Sequence, residues 1–246
     1  MAEAGKTFAR VSEERTLSEN ADVAAYHAVA SKLPLDAHVV LLAERKWSIM
    51  AVRDHDALLA DTTAFQHAPY GLLLWESAIA LAGLLARQNA PAIRGKRLLE
   101  LGCGVGLPGL VAATLGAIVT QTDHEPIALT VARENARRND SRGIVQFNAD
   151  WSAWNHDTRY DLIIGSDIAY GTDMHDYLVE IFTRNLVPGG RLLLADPGRD
   201  QNLVLLGCLE RAGWTMQREQ QTVPDASGRP GVAPITVNLF TMCRRA

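Results

Sequence analysis

The sequence predicts an α/β protein: a doubly wound, seven-stranded sheet with helices on both faces, an antiparallel pair of strands at its end, and a small β-hairpin ahead of it. Three observations carry this expectation. Short apolar runs alternate with helix-period segments from residue 97 to 213, the pattern of strands joined by crossover helices and so of a parallel sheet. A glycine-rich turn, Gly102-Cys103-Gly104-Val105-Gly106-Leu107-Pro108-Gly109, follows the first of those runs at once. The last two runs, Trp214 to Val223 and Ile235 to Cys243, have no helix between them and should pair antiparallel.

Residues 1–20 are polar without a sustained period and are expected to be loosely held. Asp22 to Lys32 reads as a short helix ending before Pro34. His38 to Ala43 and Trp47 to Val52 flank the polar Glu44-Arg45-Lys46 and read as the hairpin, with Ala57 to Ala60 as a third short run that pairs with it. Phe65 to Gly71 is broken by Pro and Gly; Leu72 to Gln88 then supplies a long apolar helix pattern with Trp75 near its start, closed by Asn89-Ala90-Pro91. This divides the chain into an extension, 1–64, and a main domain, 65–246.

Within the main domain Arg97 to Leu101 is the first strand, and glycines at alternate positions let the backbone after it turn tightly. A helix from about Gly109 to Leu115 leads to the strand Ala117 to Thr122, with Asp123 at its tip. The helix Pro126 to Arg138 has proline at its first position, where a missing N–H does no harm. The strands Ile144 to Phe147 and Tyr160 to Gly165 follow, the first trailed by Asn148-Ala149-Asp150-Trp151 and the second by Ser166-Asp167-Ile168-Ala169-Tyr170. Met174 to Leu186 is helical, Pro188-Gly189-Gly190 turns into the strand Arg191 to Ala195, and a helix from Leu203 to Ala212 closes at Gly213.

With 246 residues, 48% of them hydrophobic, the chain has material for one substantial core and a small appendage. Its net charge of −4 and the lack of any Lys/Arg block give no global attraction to nucleic acid or to an anionic membrane. Met1-Ala2-Glu3-Ala4-Gly5-Lys6 has no apolar run, and the most apolar segment, Gly71 to Ala86, is short and carries Glu76. A soluble, cytoplasmic monomer without nucleic-acid or membrane partners is the expectation. Cys103, Cys208 and Cys243 are widely spaced and the histidines are scattered, so neither a disulfide framework nor a metal site is expected. No G-x-S-x-G element supports nucleophilic hydrolysis.

A ligand of such a sheet lies beyond the carboxyl ends of its strands. Glu100, so close to the glycine turn, disfavours a phosphate and suits a ligand carrying an amino group or a sulfonium, which points to S-adenosylmethionine. Gly104 to Gly109 is also a formal G-x-G-x-x-G, so a dinucleotide-dependent oxidoreductase competes; Glu100, Asp150-Trp151 and the terminal strand pair argue against it. Acidic residues stand at or just after four successive strand ends: Glu100, Asp123, Asp150 and Asp167.

The strand pattern and Leu99-Glu100-Leu101-Gly102-Cys103-Gly104-Val105-Gly106 resemble the class I S-adenosylmethionine-dependent methyltransferases and their Rossmann-like fold. More narrowly, Leu74-Trp75-Glu76, Thr122-Asp123, Asp150-Trp151 and Ser166-Asp167-Ile168-Ala169-Tyr170 are similar to the family 16 branch, which holds many protein lysine methyltransferases. The likeness runs from about Phe65 to Gly198. It implies that Gly102, Cys103 and Gly104 line the loop around the methionine part of the cofactor and that Asp123 takes the ribose hydroxyls. By the same likeness Trp151 stacks on adenine with Asp150 as acceptor from its amine, and Trp75 and Ser166 line the cofactor pocket. Asp167 and Tyr170, matching the branch's D-x-x-Y motif, fall to the acceptor amine. A lysine amine has a pKa of about 10.4 and must lose its proton to react, so Asp167 reads as orienting the amine rather than deprotonating it. Core packing for Trp75 and helix anchoring for Tyr170 stay open. The function implied is methylation of a protein lysine, with a small-molecule N-methyltransferase or a non-catalytic cofactor-binding protein as alternatives.

Overall fold

The chain is seen in a computed structural model that describes residues 21–59, 68–88, 90–227 and 231–244. The loosely held start expected over 1–20 lies outside them, as does the first part of the Phe65 to Gly71 segment.

Residues 21–30 form helix α1. Leu35–Leu42 (β1) and Arg45–Val52 (β2) then pair antiparallel, Leu35 with Val52 through Leu42 with Arg45. Their turn is only Ala43-Glu44, shorter than expected, and both residues are left-handed at φ 46° and 65°, a turn whose twist matches that of the strands. The third strand expected at Ala57 to Ala60 is not one: His55–Leu59 is helix α2. Asp54 explains the difference, because its side chain caps the helix, accepting from the Ala57 N–H at 2.8 Å.

The long helix, α3, spans Glu76–Arg87 and not Leu72 onward. Tyr70–Leu72 is a 3₁₀ turn, Leu73 and Trp75 are extended, and Leu73 bridges in parallel to Val52, so backbone pairing overrides the apolar pattern there. A single short helix, Ala90–Ile93 (α4), leads into the main sheet.

That sheet and its helices follow as Arg97–Leu101 (β3), Leu107–Thr114 (α5), Ile118–Asp123 (β4), Pro126–Arg138 (α6), Val145–Asn148 (β5), Tyr160–Ser166 (β6), His175–Asn185 (α7), Leu186–Asp196 (β7), Asp200–Arg211 (α8), Trp214–Val223 (β8) and Ile235–Arg244 (β9). The strands lie in the order β5-β4-β3-β6-β7-β9-β8. The first five are parallel, and β9 runs antiparallel between β7 and β8. The α/β class, the seven strands, the antiparallel end and the separate hairpin are therefore as predicted. Pro188-Gly189-Gly190 differs: it lies inside β7, where the pairing with β6 slips between Tyr160 and Leu162, a bulge in place of a turn.

Alternation along the buried strands builds two cores. Leu98, Leu162, Ile164, Leu193 and Leu239 face a cluster shared with α3, α5 and the hairpin; Leu99, Ile163, Leu192, Leu194 and Met242 face a second shared with α7 and α8. The hairpin is held to this body by two side chains one turn apart, Asn135 on α6 and Asn139 just past its end. Asn135 accepts from Met50 N–H at 2.7 Å and donates to Met50 O at 3.0 Å, while Asn139 accepts from Ser48 N–H at 3.1 Å and donates to Ser48 O at 2.9 Å. The two amides stand in for a neighbouring strand along the open edge of β2. Asn135 also donates to Val105 O at 2.9 Å, joining the hairpin to the glycine turn.

Candidate active site

Register fixes where the strands stop. Leu101 pairs with Thr122 and Gly165, Asp123 with Asn148, and Ser166 with Ala195. The carboxyl ends of β5, β4, β3, β6 and β7 thus form one row. At about 4.8 Å per strand the row is roughly 19 Å long, room for an elongated ligand.

The middle of the row is the glycine turn. Gly102, Gly104 and Gly106 are all left-handed, at φ 60°, 51° and 85°. Crowding as well as φ demands glycine at Gly104: a β-carbon there would lie 2.8 Å from the carbonyl oxygen of Gly71, because the Tyr70–Leu72 turn lies against the loop. Asp123, 4% exposed at the end of β4, ties the turn down: one oxygen accepts from Gly104 N–H at 2.8 Å and the other from Glu125 N–H at 3.0 Å. Each oxygen retains a second lone pair for a hydroxyl donor. Cys103 donates its N–H to Thr122 O, and its thiol is buried, with a pKa raised well above the usual value by burial and by the charges of Asp123 and Glu100; it packs as a thiol.

Glu100 sits behind the turn. Fully buried, it accepts from Gly109 N–H at 3.0 Å and from Gln121 Nε2 at 2.7 Å, and burial pushes its pKa up to about 8. Its carboxyl braces the loop and the first turn of α5. Trp151 lies on the other side of the loop: its ring comes within 3.5 Å of the place a Gly102 β-carbon would take, beside Ile168. Asp150, exposed, caps the short Trp151–Ala153 turn, accepting from Ser152 N–H at 2.8 Å and from its hydroxyl at 2.7 Å, contacts that hold its pKa below the usual carboxylate range. These bonds fix the backbone that carries Trp151.

Trp75 reaches this assembly through the backbone. Its indole N–H donates to Tyr70 O at 3.1 Å, and its half-buried ring packs on the core shared with the hairpin, so it braces the Tyr70-Gly71 segment lying on Gly104. With Glu76 it also borders a separate cavity of about 180 Å³ between the hairpin, α3 and the 224–227 loop, which none of the strand-end acids lines.

At the end of β6, Ser166 is half-buried, and the chain leaves the sheet through Asp167 at φ 54°, its N–H donating to Ala195 O at 2.8 Å. A left-handed Asp is uncommon but tolerated. Its buried carboxylate is held by a fork, Arg199 Nε to Oδ1 at 2.5 Å and Nη2 to Oδ2 at 2.8 Å. Tyr170, three residues on, is 58% exposed; the desolvation of its buried part raises its phenol pKa, as do the charges of Asp123, Asp173, Asp167 and Glu125, so it remains a neutral hydroxyl. His175, at the start of α7, is buried, with a ring nitrogen 3.3 Å from Ala169 O.

The sequence reading missed Arg199 and Asp196. Asp196 ends β7, is 2% exposed, and accepts from the N–H groups of Gly198 at 2.6 Å and Arg199 at 2.8 Å. The signal was available: Asp196-Pro197-Gly198 is a fifth acid at a strand end, followed by a turn dipeptide.

Comparison with known proteins bears on this geometry. The family model described as lysine methyltransferase matches residues 57–202. Protein N-lysine methyltransferase METTL21A of Danio rerio is 41% identical over 105 residues, 40% of this chain and 47% of the relative. EEF1A lysine methyltransferase 3 of Mus musculus is 31% identical over 134 residues, 52% of this chain and 56% of the relative. The chain thus matches about half the length of these curated relatives. Among solved structures, a ribosomal protein L11 methylase from Lactobacillus delbrueckii subsp. bulgaricus superposes with a TM-score of 0.57 at 19% identity, covering 85% of this chain and all of that one, a likeness of fold.

Proposed function

As the chain belongs to the lysine methyltransferase family, we propose that it methylates a lysine side chain of a protein, with S-adenosylmethionine as the methyl donor. The observation that carries this reading is the order of groups along the strand ends: Trp151 near β5, Asp123 on β4, the open glycine backbone after β3, and Asp167 with Tyr170 after β6. The residues fit the donor. Two left-handed glycines without room for a side chain let its amino-acid end approach the backbone, and the buried Asp123 has lone pairs left for a diol. When bound, the donor supplies a methyl carbon on a sulfonium: the amine lone pair forms the N–C bond, the S–C pair returns to sulfur, and the amine proton passes to water.

The chain's own groups prepare that displacement by position and charge rather than by a nucleophile. Asp123 and Glu100 keep the loop in the conformation that admits the donor. Tyr170, a neutral phenol, is able to accept from an ammonium or donate to an amine, and so orients the acceptor in either state. Its 58% exposure, with no described segment folded over it, supports a side chain offered on a protein surface over a small molecule enclosed in a pocket. Both relatives described above are named for lysine methylation, which supports lysine as the acceptor.

The test is incubation with radiolabelled S-adenosylmethionine and a cell lysate, followed by mass spectrometry of the labelled species. Methyl-lysine in protein is the expected outcome; label confined to low-mass material overturns the reading.

A further inference from the structure

A two-pronged ion pair, Arg199 with Asp167, joins the loops that leave β6 and β7 at the strand ends. We propose that Arg199 sets the reactivity of this site: by occupying both oxygens of Asp167, it presents an incoming amine with a closed ion pair instead of a bare carboxylate. The proposal rests on the lysine methylation reading above.

Both partners are fixed before any substrate arrives. Asp167 is locked by its left-handed backbone and by the bond from its N–H to Ala195 O. Arg199 is locked by Asp196, whose Oδ1 holds the N–H groups of Gly198 and Arg199 where the chain enters α8. The loops leaving neighbouring strands β6 and β7 therefore deliver the pair already assembled. The Asp167 side chain is 5% exposed and that of Arg199 37%, so the carboxylate is covered while its partner remains in part at the surface.

The surroundings show why a counter-ion matters. Around Tyr170 stand Asp167 and Asp173 on its own loop and Asp123 and Glu125 from the β4 to α6 connection, all raising the phenol's pKa. His124 sits against Asp123 and Glu125, and Asp196 at the end of β7 and Asp200 at the start of α8 flank Arg199 in the chain. An acceptor amine in such a field is held as ammonium, which binds well and does not react. Arg199 offsets the charge of the motif carboxylate Asp167 and leaves it in place. Arg199 is therefore a positioning residue acting through Asp167, and its signature is a pH profile.

The experiment follows the initial rate of lysine labelling by radiolabelled S-adenosylmethionine in one lysate, from about pH 6 to about pH 10, across the range between unperturbed His and Lys. Arg199→Gln, Arg199→Lys and the double variant Asp167→Asn/Arg199→Gln are compared with the wild type; asparagine tolerates the left-handed backbone at 167. In Arg199→Gln the rise in rate is expected to move to higher pH by about one unit, the lower end of what a carboxylate a few ångströms away produces. Arg199→Lys should move it back most of the way, and the neutral double variant should return it to the wild-type position. All of them should keep the rise in melting temperature that S-adenosylhomocysteine gives. A profile of Arg199→Gln that superposes on the wild type, or moves to lower pH, overturns the proposal. So does loss of the S-adenosylhomocysteine effect, which would make Arg199 part of the donor site or the fold. A wild type that labels no lysine fails the underlying reading, and that failure is visible without any variant.

Discussion

At Gly104 the backbone stands at φ 51° and a β-carbon would lie 2.8 Å from Gly71 O, so the smallest side chain forces either the loop or the Tyr70–Leu72 turn to move. Gly104→Ala is expected to destabilise the protein by about 1–3 kcal/mol and to abolish stabilisation by S-adenosylhomocysteine, both read from melting curves with and without the ligand. Such residues were legible in the sequence because their constraint is local: alternate glycines after an apolar run, an acid at a strand tip. Arg199 was not, since its partner lies 32 residues away on another loop and only the parallel pairing of β6 with β7 brings them together. Glu100 was legible as an acid near the turn; its inward direction toward Gly109 and Gln121 depends on the packing of α5 over β3 and β4. Asp150 likewise turned out to fold back on Ser152, a local bond that spacing alone does not distinguish from one aimed at a ligand.

Among the elements, the hairpin shows what periodicity conveys and what it leaves out. Its two strands were plain from their apolar runs, whereas the described part of the third run, Ala57 to Leu59, lies in helix α2, whose cap at Asp54 outweighed the apolar letters. Nothing in the sequence announced that Asn135 on α6 and Asn139 at its C-terminal cap would serve as the missing strand beside β2, because amides on or next to a helix ordinarily face water. Asn135→Leu fills a similar volume but leaves Met50 N–H, Met50 O and Val105 O without these bonds. It is expected to lower stability by about 3 kcal/mol, and to speed hydrogen exchange at the Met50 amide more than at the amides of β3. Equal acceleration in both places would mean that the hairpin and the sheet open as one unit.

At the scale of the whole molecule, stability against pH should carry the mark of Glu100. Its folded-state pKa of about 8 lies above the ordinary carboxylate value, chiefly through burial, so the folded chain binds a proton that the unfolded chain has released. Stability from this group is therefore greatest below about pH 4.3, falls as pH rises to about 8 at up to about 1.4 kcal/mol per unit, and is level above. Glu100→Gln has no proton to lose: the difference in melting temperature, variant minus wild type, is expected to grow from pH 5 to 8. A difference that stays constant over that range would show that Glu100 is ionised in the folded protein.

The placement of β9 bears on the order in which this sheet can be built. It follows β8 in the chain, yet it lies inside the sheet, and every bond that holds β8 to the sheet is made to β9. Until residues 235–244 have left the ribosome, β7 has an open edge and β8 no sheet to join. The parallel strands and the glycine loop can form earlier, so the proposed donor site is complete in outline while one side of the molecule still offers unpaired backbone. A nascent chain stalled in the 224–234 connection would be a species able to fold around a ligand and also to pair, edge to edge, with its own kind.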